Sequence, residues 1–362
     1  MRLSLGLEPG HHWTGDGANV AAPYLVRPGR RPYSRTMIYL NTGSSARRSI
    51  TPTSPALDGV DAAVWLDLVA PTDQERSDVE RATTLRIPTR AEIAEIESSS
   101  RLVTEGDCFY LTTPMSYRDQ DGESLVSPLG FVLSPDRLIT VRFAEMPVFD
   151  TFAERFASLR PSSSAAAFTG LLDTIVDRLA DVLEHVGADL EGISKQIFRI
   201  ERTTEPDANK IDARLRLRLA EIGRAGERLS NLRDSLVGVQ RLLVYVHAAG
   251  VGWLDAEMLR RCSTLSKDIA SLTDYDVQLN NKMQFLLDAT LGFINIEQNN
   301  GIKVLTVVSV VGVPPTLIAS IYGMNFKRIP ELQWDYGYLY GLTLIVASAV
   351  VPLLWFKRRG WI

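Results

Sequence analysis

Val304-Leu305-Thr306-Val307-Val308-Ser309-Val310-Val311-Gly312-Val313-Pro314-Pro315-Thr316-Leu317-Ile318-Ala319-Ser320-Ile321-Tyr322 has no ionisable group before its final tyrosine, and Gly323-Met324-Asn325-Phe326 follows at once. Nineteen residues at about 1.5 Å each are long enough to cross a hydrocarbon core of roughly 30 Å. Tyr338 to Phe356 is a second run of 19 whose only ionisable groups are its own tyrosines. Two such spans joined by a 15-residue loop make a hairpin with both chain ends on one side. The polar Gly-x-Asn at the boundary of the first span puts uncharged oxygens at the mouth of a pore, if the helix lines one.

Composition confines the membrane reading to the end of the chain. The 362 residues carry 39 Lys+Arg against 43 Asp+Glu, a net charge of −4, so no whole-protein basic field exists to hold nucleic acid. The two cysteines, Cys108 and Cys262, have no CxxC spacing and no His partner nearby, which argues against a disulfide scaffold or structural zinc. His11-His12 lies in a Gly/Pro/Arg-rich stretch and reads as solvent-facing. Residues 1–36 lack a continuous apolar core of signal-peptide length and read as a flexible leader, with Met37 as a second start. The hydrophilic part is therefore expected to stay cytoplasmic, in agreement with the basic tail Lys357-Arg358-Arg359.

The expected organisation follows the changes of period. A flexible leader covers 1–58 and a cytoplasmic α/β domain 59–160. Within it, Val64 to Val69 is a strand ending before Pro71, Cys108 to Thr113 another, and Leu129 to Phe143 two strands around Ser134-Pro135-Asp136. Thr89 to Ser98 reads as a helix with a Thr cap and Glu92 in the capping-box position. Pro161-Ser162-Ser163-Ser164 marks the boundary to a long-helix bundle and stalk over 161–301. There, Leu172, Val176, Leu179, Leu183, Val186, Leu190, Ile193, Ile197 and Ile200 form a 4-3 seam. A second helix starts at Asp207-Ala208-Asn209. A third starts near Asp255 and runs without a break into the first span, a length of 68 residues to Tyr322. Such a helix needs partners along its apolar stripe, which points to an oligomer. Transmembrane helix 1 covers 302–325, a periplasmic loop 326–337, transmembrane helix 2 338–356, and a basic tail 357–362. The fold class is an α+β membrane protein.

Inside the first span, Pro314 and Pro315 free backbone carbonyls, and Thr306, Ser309, Thr316 and Ser320 add hydroxyls. Taken singly, these are equally readable as helix-packing residues.

Several of these stretches resemble the CorA family of magnesium and cobalt transporters, in its proteobacterial branch. They are Gly292-Phe293-Ile294-Asn295-Ile296-Glu297-Gln298-Asn299, Pro314 to Ser320, Tyr322 to Phe326 with its Gly-Met-Asn motif, and Pro330-Glu331-Leu332. Lys357 to Trp361, Trp65-Leu66-Asp67-Leu68 and Thr89 to Ile93 with Ile96-Glu97 are similar as well. The resemblance implies a homopentamer in the bacterial inner membrane, multi-pass, with both termini cytoplasmic, a funnel of long helices, and a pore lined by the first span. It implies import of Mg²⁺, with Co²⁺ and possible Ni²⁺ as alternative cargo. The selectivity filter would be Gly323, Met324 and Asn325. Asn299, Ile302, Leu305, Val313, Thr316 and Ser320 would line the pore, with Ile302 and Leu305 as a hydrophobic gate. It further implies regulatory Mg²⁺ bound between subunits by Glu95 and Asp268, for which the alternative reading is a pair of solvated helix-face charges. Hydrated Mg²⁺ suits neutral oxygens better than a tight carboxylate cage. Lys327 and Arg328 stand where the family often begins its loop with an acidic residue, and they offset Glu331 and Asp335 at the mouth.

Two rivals remain at the level of sequence: a zinc-transporting member of the same fold, and a membrane-anchored coiled-coil scaffold that conducts nothing. Pro330-Glu331-Leu332 favours magnesium over zinc. No Gly-rich phosphate loop, HExxH or Ser/His/Asp constellation supports an enzyme or an organic substrate. Membrane lipid and copies of the chain are the expected partners.

Overall fold

A computed structural model describes residues 37–41, 48–50, 60–95, 101–159, 161–200, 208–249, 252–324 and 330–361. The chain divides into two compact units. The first holds residues 1–185 and 227–277, the second 186–226 and 278–362.

The first unit is organised by a seven-stranded sheet. Its strands are β1 (Met37–Asn41), β2 (Arg48–Ile50), β3 (Trp65–Val69), β4 (Leu102–Glu105), β5 (Cys108–Arg118), β6 (Ser124–Leu133) and β7 (Leu138–Arg142). The spatial order is β2-β1-β3-β7-β6-β5-β4, antiparallel at every pairing except β3–β7. The leader expected over 1–58 is corrected here. Met37–Asn41 pairs with Val69–Trp65 and carries Arg48–Ile50 on its outer edge, so the sheet recruits chain from before residue 58. Alternation in Ile38 and Leu40 is the reason: both are buried on one face.

All five residues of β3 are buried, because the strand is covered on both faces. Leu66 and Leu68 join Val79, Ile87 and Ile93 in one core. These come from α1 (Asp73–Thr83), its following loop, and α2 (Arg90–Ile93). Trp65 points to the other face, its ring centroid 4.8 Å from Phe152 and 5.6 Å from Phe156. Both phenylalanines lie on α3 (Pro147–Leu159).

A buried polar network lies on the parallel pair β3–β7. Arg142 Nη2 donates to Asp67 Oδ2 at 3.0 Å and Arg142 Nε to Oδ1 at 3.2 Å. Thr140 Oγ1 donates to Asp67 Oδ1 at 2.9 Å and accepts from Trp65 Nε1 at 3.1 Å. The side chain of Asp67 is fully buried and that of Arg142 is 5% exposed. Burial pushes the guanidinium towards losing its proton, but the Asp67 charge and hydrogen bonds outweigh it, so Arg142 is held charged.

The helix expected from Thr89 to Ser98 is a single turn, Arg90–Ile93, that ends at Ala94; residues 96–100 lie outside the described residues. Its capping box is present: Thr89 N–H donates to Glu92 Oε2 at 2.6 Å, and Glu92 N–H donates to Thr89 Oγ1. The Thr89 N–H chiefly, with the Thr89 hydroxyl and Arg86, holds the Glu92 carboxyl below its ordinary range against partial desolvation.

Three long helices follow: α4 (Ser164–Ile200), α5 (Ala208–Ala249) and α6 (Ala256–Tyr322). Asp255 Oδ1 caps α6 by accepting from Met258 N–H at 2.7 Å. The seam from Leu172 to Ile197 is buried at every expected position; the side chain of Ile200 lies outside the described residues. Pro161–Ser164 does not separate two bodies. Ser164 Oγ donates to Ser134 O at 2.6 Å, and Phe168 meets Phe131 edge-on at 5.7 Å, so the first turns of α4 belong to the sheet unit.

In the same unit α5 lies against β5. Ser116 N–H donates to Ser235 Oγ at 2.8 Å. One turn on, a Cβ at Gly238 would strike Thr113 Oγ1 and come within 2.8 Å of Pro114 Cδ. Gly238→Ala is therefore expected to cost about 1–3 kcal/mol by overpacking. At Gly223, also on α5, a Cβ meets open space. There the same change is expected to gain about 0.5–1 kcal/mol from helix propensity. Thermal unfolding of the two variants side by side checks both signs.

The second unit contains the apolar end of α6, a short 3₁₀ turn (Pro330–Gln333) and α7 (Gly337–Arg358). Phe198 stacks on Phe285 at 6.1 Å and meets Phe293 edge-on at 6.1 Å. Lys282 Nζ donates to Glu191 Oε2 at 2.6 Å, which holds the exposed Glu191 carboxyl below its ordinary range.

Candidate functional site

Alpha helix α6 stays continuous through Pro314 and Pro315 to Tyr322. Proline has no N–H, so the carbonyls of Val310 and Val311 lose their usual helical donors. At about 100° per residue, Ile302, Leu305, Ser309, Gly312, Thr316, Ser320 and Gly323 fall on one side of the helix. Asn299 and Val313 flank that stripe. Every one of these residues is exposed, with Ile302 at 61%, Leu305 at 68% and Val313 at 62%. The opposite side, Val307, Val311, Pro314, Ile318 and Tyr322, is partly covered. Val304, Val308, Val310, Leu317 and Ile321 are exposed as well, so the covered strip is narrow and the uncharged small and hydroxyl residues of the stripe lie within a wider open face.

Three of the four hydroxyls on this segment share one geometry. Thr306 Oγ1 donates to Ile302 O at 2.8 Å, Thr316 Oγ1 to Gly312 O at 2.9 Å, and Ser320 Oγ to Thr316 O at 2.8 Å. With the proton committed to the preceding turn, each oxygen offers only its lone pairs outward. A hydrated divalent cation presents water hydrogens, and acceptor-only oxygens are what such a shell can use. Sequence supplied the hydroxyls but not the direction of their protons.

Past Tyr322 the helix unwinds in order. Gly323 N–H donates to Ala319 O at 3.0 Å and Met324 N–H to Ile321 O at 3.2 Å. The negative end of the helix dipole is therefore aimed at Gly323-Met324, a favourable place for a cation. Met324 is 48% exposed. Asn325 lies outside the described residues, as do Phe326, Lys327, Arg328 and Ile329.

Glu95 and Asp268 are both exposed. The Glu95 backbone carbonyl accepts from Arg101 Nε at 2.6 Å. Within one chain they are not part of a metal cluster: among the described residues no group of three or more His, Cys, Asp or Glu is arranged to hold a metal ion. Oxygen donors of this kind suit Mg²⁺, and any site they make needs further ligands from elsewhere.

Among the described residues two helices, α6 and α7, are long and apolar enough to cross a membrane. Residues 60–358 match the family described as CorA-like Mg²⁺ transporter protein. The chain belongs to the CorA family. It is 34% identical over 302 residues to the magnesium transport protein CorA of Escherichia coli K12, covering 83% of this chain and 92% of that one. It is 33% identical over 307 residues to the CorA of Yersinia pseudotuberculosis, covering 84% and 94%.

Solved structures give the same architecture. The complete CorA magnesium transporter from Methanocaldococcus jannaschii aligns with a TM-score of 0.66 at 18% identity, covering 90% of this chain and 98% of that one. The full-length CmaX protein aligns at 0.61 with 15% identity, again covering 90% and 98%. At these identities the likeness is one of fold: a soluble N-terminal domain, a long helix and two C-terminal apolar helices. As a CorA-family member with two such helices, the chain is a membrane protein and an ion transporter, not an enzyme.

Proposed function

We propose that this chain is an inner-membrane channel that imports Mg²⁺, with Co²⁺ as alternative cargo and Ni²⁺ within its range. The observation that carries the proposal is the exposed, uncharged stripe of α6, with its acceptor-only hydroxyls, leading to Gly323-Met324 in a CorA-family chain. The relatives named above as magnesium transport proteins support the choice of ion. An open stripe on a single helix is completed by copies of itself, and we assign the assembly as a homopentamer with α6 inside. Both termini would be cytoplasmic, and lipid would surround α7. Asn325 would complete the filter at the outer mouth, Ile302 and Leu305 would form the apolar gate, and Asn299 would lie at the cytoplasmic end. The membrane potential supplies about 2.3 kcal/mol per charge per 100 mV for entry.

Purified protein in liposomes tests the reading. Mg²⁺ and Co²⁺ flux is the expected result. Flux of Zn²⁺ alone would favour the zinc-transporting alternative, and no flux of any ion would favour a scaffold.

Two further outcomes follow from charge. Lys327 and Arg328 oppose cation concentration at the mouth, so Lys327→Glu is expected to raise uptake at low external Mg²⁺ and low ionic strength. Uptake unchanged in that variant under those conditions would sink the idea. If Glu95 and Asp268 meet across subunits, like charges repel once the cation leaves. Chelation of Mg²⁺ is then expected to raise protease cleavage of the cytoplasmic part, and Asp268→Asn to blunt that rise. Cleavage indifferent to chelation would leave both as solvated charges.

A further inference from the structure

The end of α7 is built rather than frayed. Gly360 has φ +69°. Its N–H donates to Lys357 O at 3.2 Å, and Trp361 N–H donates to Phe356 O at 3.1 Å. Together these bonds make a Schellman cap, and its usual apolar contact is present. Trp361 stacks on the buried Phe356 at 5.3 Å, with the ring planes 27° apart. The cap turns the chain back, so Trp361 returns to Phe356. Both indoles keep an exposed side, 40% and 51% respectively.

Three cations sit within this turn. Lys357, Arg358 and Arg359 are exposed, and among the described residues none of them is in an ion pair. Arg359 Cζ lies 5.3 Å from the centre of the Trp355 ring, which limits where its guanidinium can go. Several of the last carbonyls of α7 are already capped by the N–H groups of Arg359, Gly360 and Trp361. The positive charge is therefore not needed to satisfy the helix end.

We infer that this capped turn is a binding site for the headgroup of an anionic phospholipid. Arg and Lys donate to phosphate oxygens, and an indole with one apolar and one polar edge sits at the depth of the ester groups. An anionic lipid complements three exposed cations beside an apolar helix. A zwitterionic lipid does not. The inference rests on α7 spanning the membrane, and it adds a lipid partner of stated charge at one end of that helix.

The test uses the full-length protein in bilayers of mixed phosphatidylcholine and phosphatidylglycerol, with no ion gradient. Native mass spectrometry counts the lipids retained on release. Wild type is expected to retain phosphatidylglycerol preferentially. Each neutralisation among Lys357→Gln, Arg358→Gln and Arg359→Gln should lower that preference by about fivefold. Gly360→Ala keeps every charge but strains the cap, and it should lower the preference as well. An unchanged lipid ratio in the triple variant would overturn the site, as would displacement of the lipid by inorganic phosphate. Full preference in Gly360→Ala would overturn the role of the cap. Failure to insert into any bilayer would overturn the membrane reading together with this one.

Discussion

Arg142→Ala is expected to cost the sheet-bearing unit about 3–5 kcal/mol, because it takes the guanidinium away from a carboxylate that has no exposed surface. The size follows from burial. An exposed ion pair is worth about 1 kcal/mol or less, since water replaces the lost partner. At Asp67 water has no access, and Thr140 Oγ1 can satisfy only one carboxylate oxygen of those that Arg142 now serves. The same substitution removes the guanidinium from the face of Phe149, 4.6 Å away, and frees Ala144 O from its donor. The double change Asp67→Leu with Arg142→Met removes both charges and should lose much less than the single one. Thermal or denaturant unfolding measures the loss, and the fluorescence change includes that of Trp65, which shares Thr140 with Asp67. A loss near 1 kcal/mol in Arg142→Ala would show that the pair behaves as a surface contact.

Much of this molecule is legible in its sequence where one signal dominates. The seam from Leu172 to Ile197 is read correctly because a long helix with one buried stripe has a single period and no competing constraint. Alpha helix α6, expected from Asp255 to Tyr322, is found from Ala256 to Tyr322, since neither Gly312 nor the proline pair breaks it. Strand β3 is legible as an apolar run before Pro71.

Sequence reading fails where long-range pairing decides. Met37–Asn41 is short and surrounded by Gly, Pro and Arg, and only its partner Trp65–Val69 makes it a strand. The turn at Pro161–Ser164 has the composition of a linker, yet Ser164 is drawn into the sheet unit by a hydrogen bond to Ser134, 30 residues earlier. Helix α1 carries a capping box, Thr72 with Glu75, that is as legible in local sequence as the Thr89–Glu92 one.

The candidate site divides in the same way. The hydroxyls and prolines of the first span are visible in the sequence, but which of them share a side of α6 comes only from the family resemblance. The proton direction at Thr316 and Ser320 is set by backbone carbonyls one turn back, so it is visible only in the folded helix. Glu95 and Asp268 are solvent-facing in one chain, and any meeting between them depends on a neighbour that sequence does not contain.

The second large effect concerns the residue that closes the Gly-Met-Asn motif. Asn325 follows directly on a helix end whose dipole favours a cation, after Gly323 and Met324 have turned the backbone. Its amide oxygen is a neutral acceptor for the water shell of Mg²⁺. In the proposed homopentamer, alanine would remove that oxygen from every copy at once, while leaving the sequence of both spans untouched. A loss of roughly 10-fold or more in uptake is expected, since losing even one or two bonds worth about 1 kcal/mol each amounts to about a factor of ten. The decisive measurement is Mg²⁺ uptake in a magnesium-transport-deficient cell expressing wild type or Asn325→Ala at equal membrane levels. Rescue by wild type with loss of uptake in Asn325→Ala is the predicted result, and equal rescue by both would contradict the pore assignment.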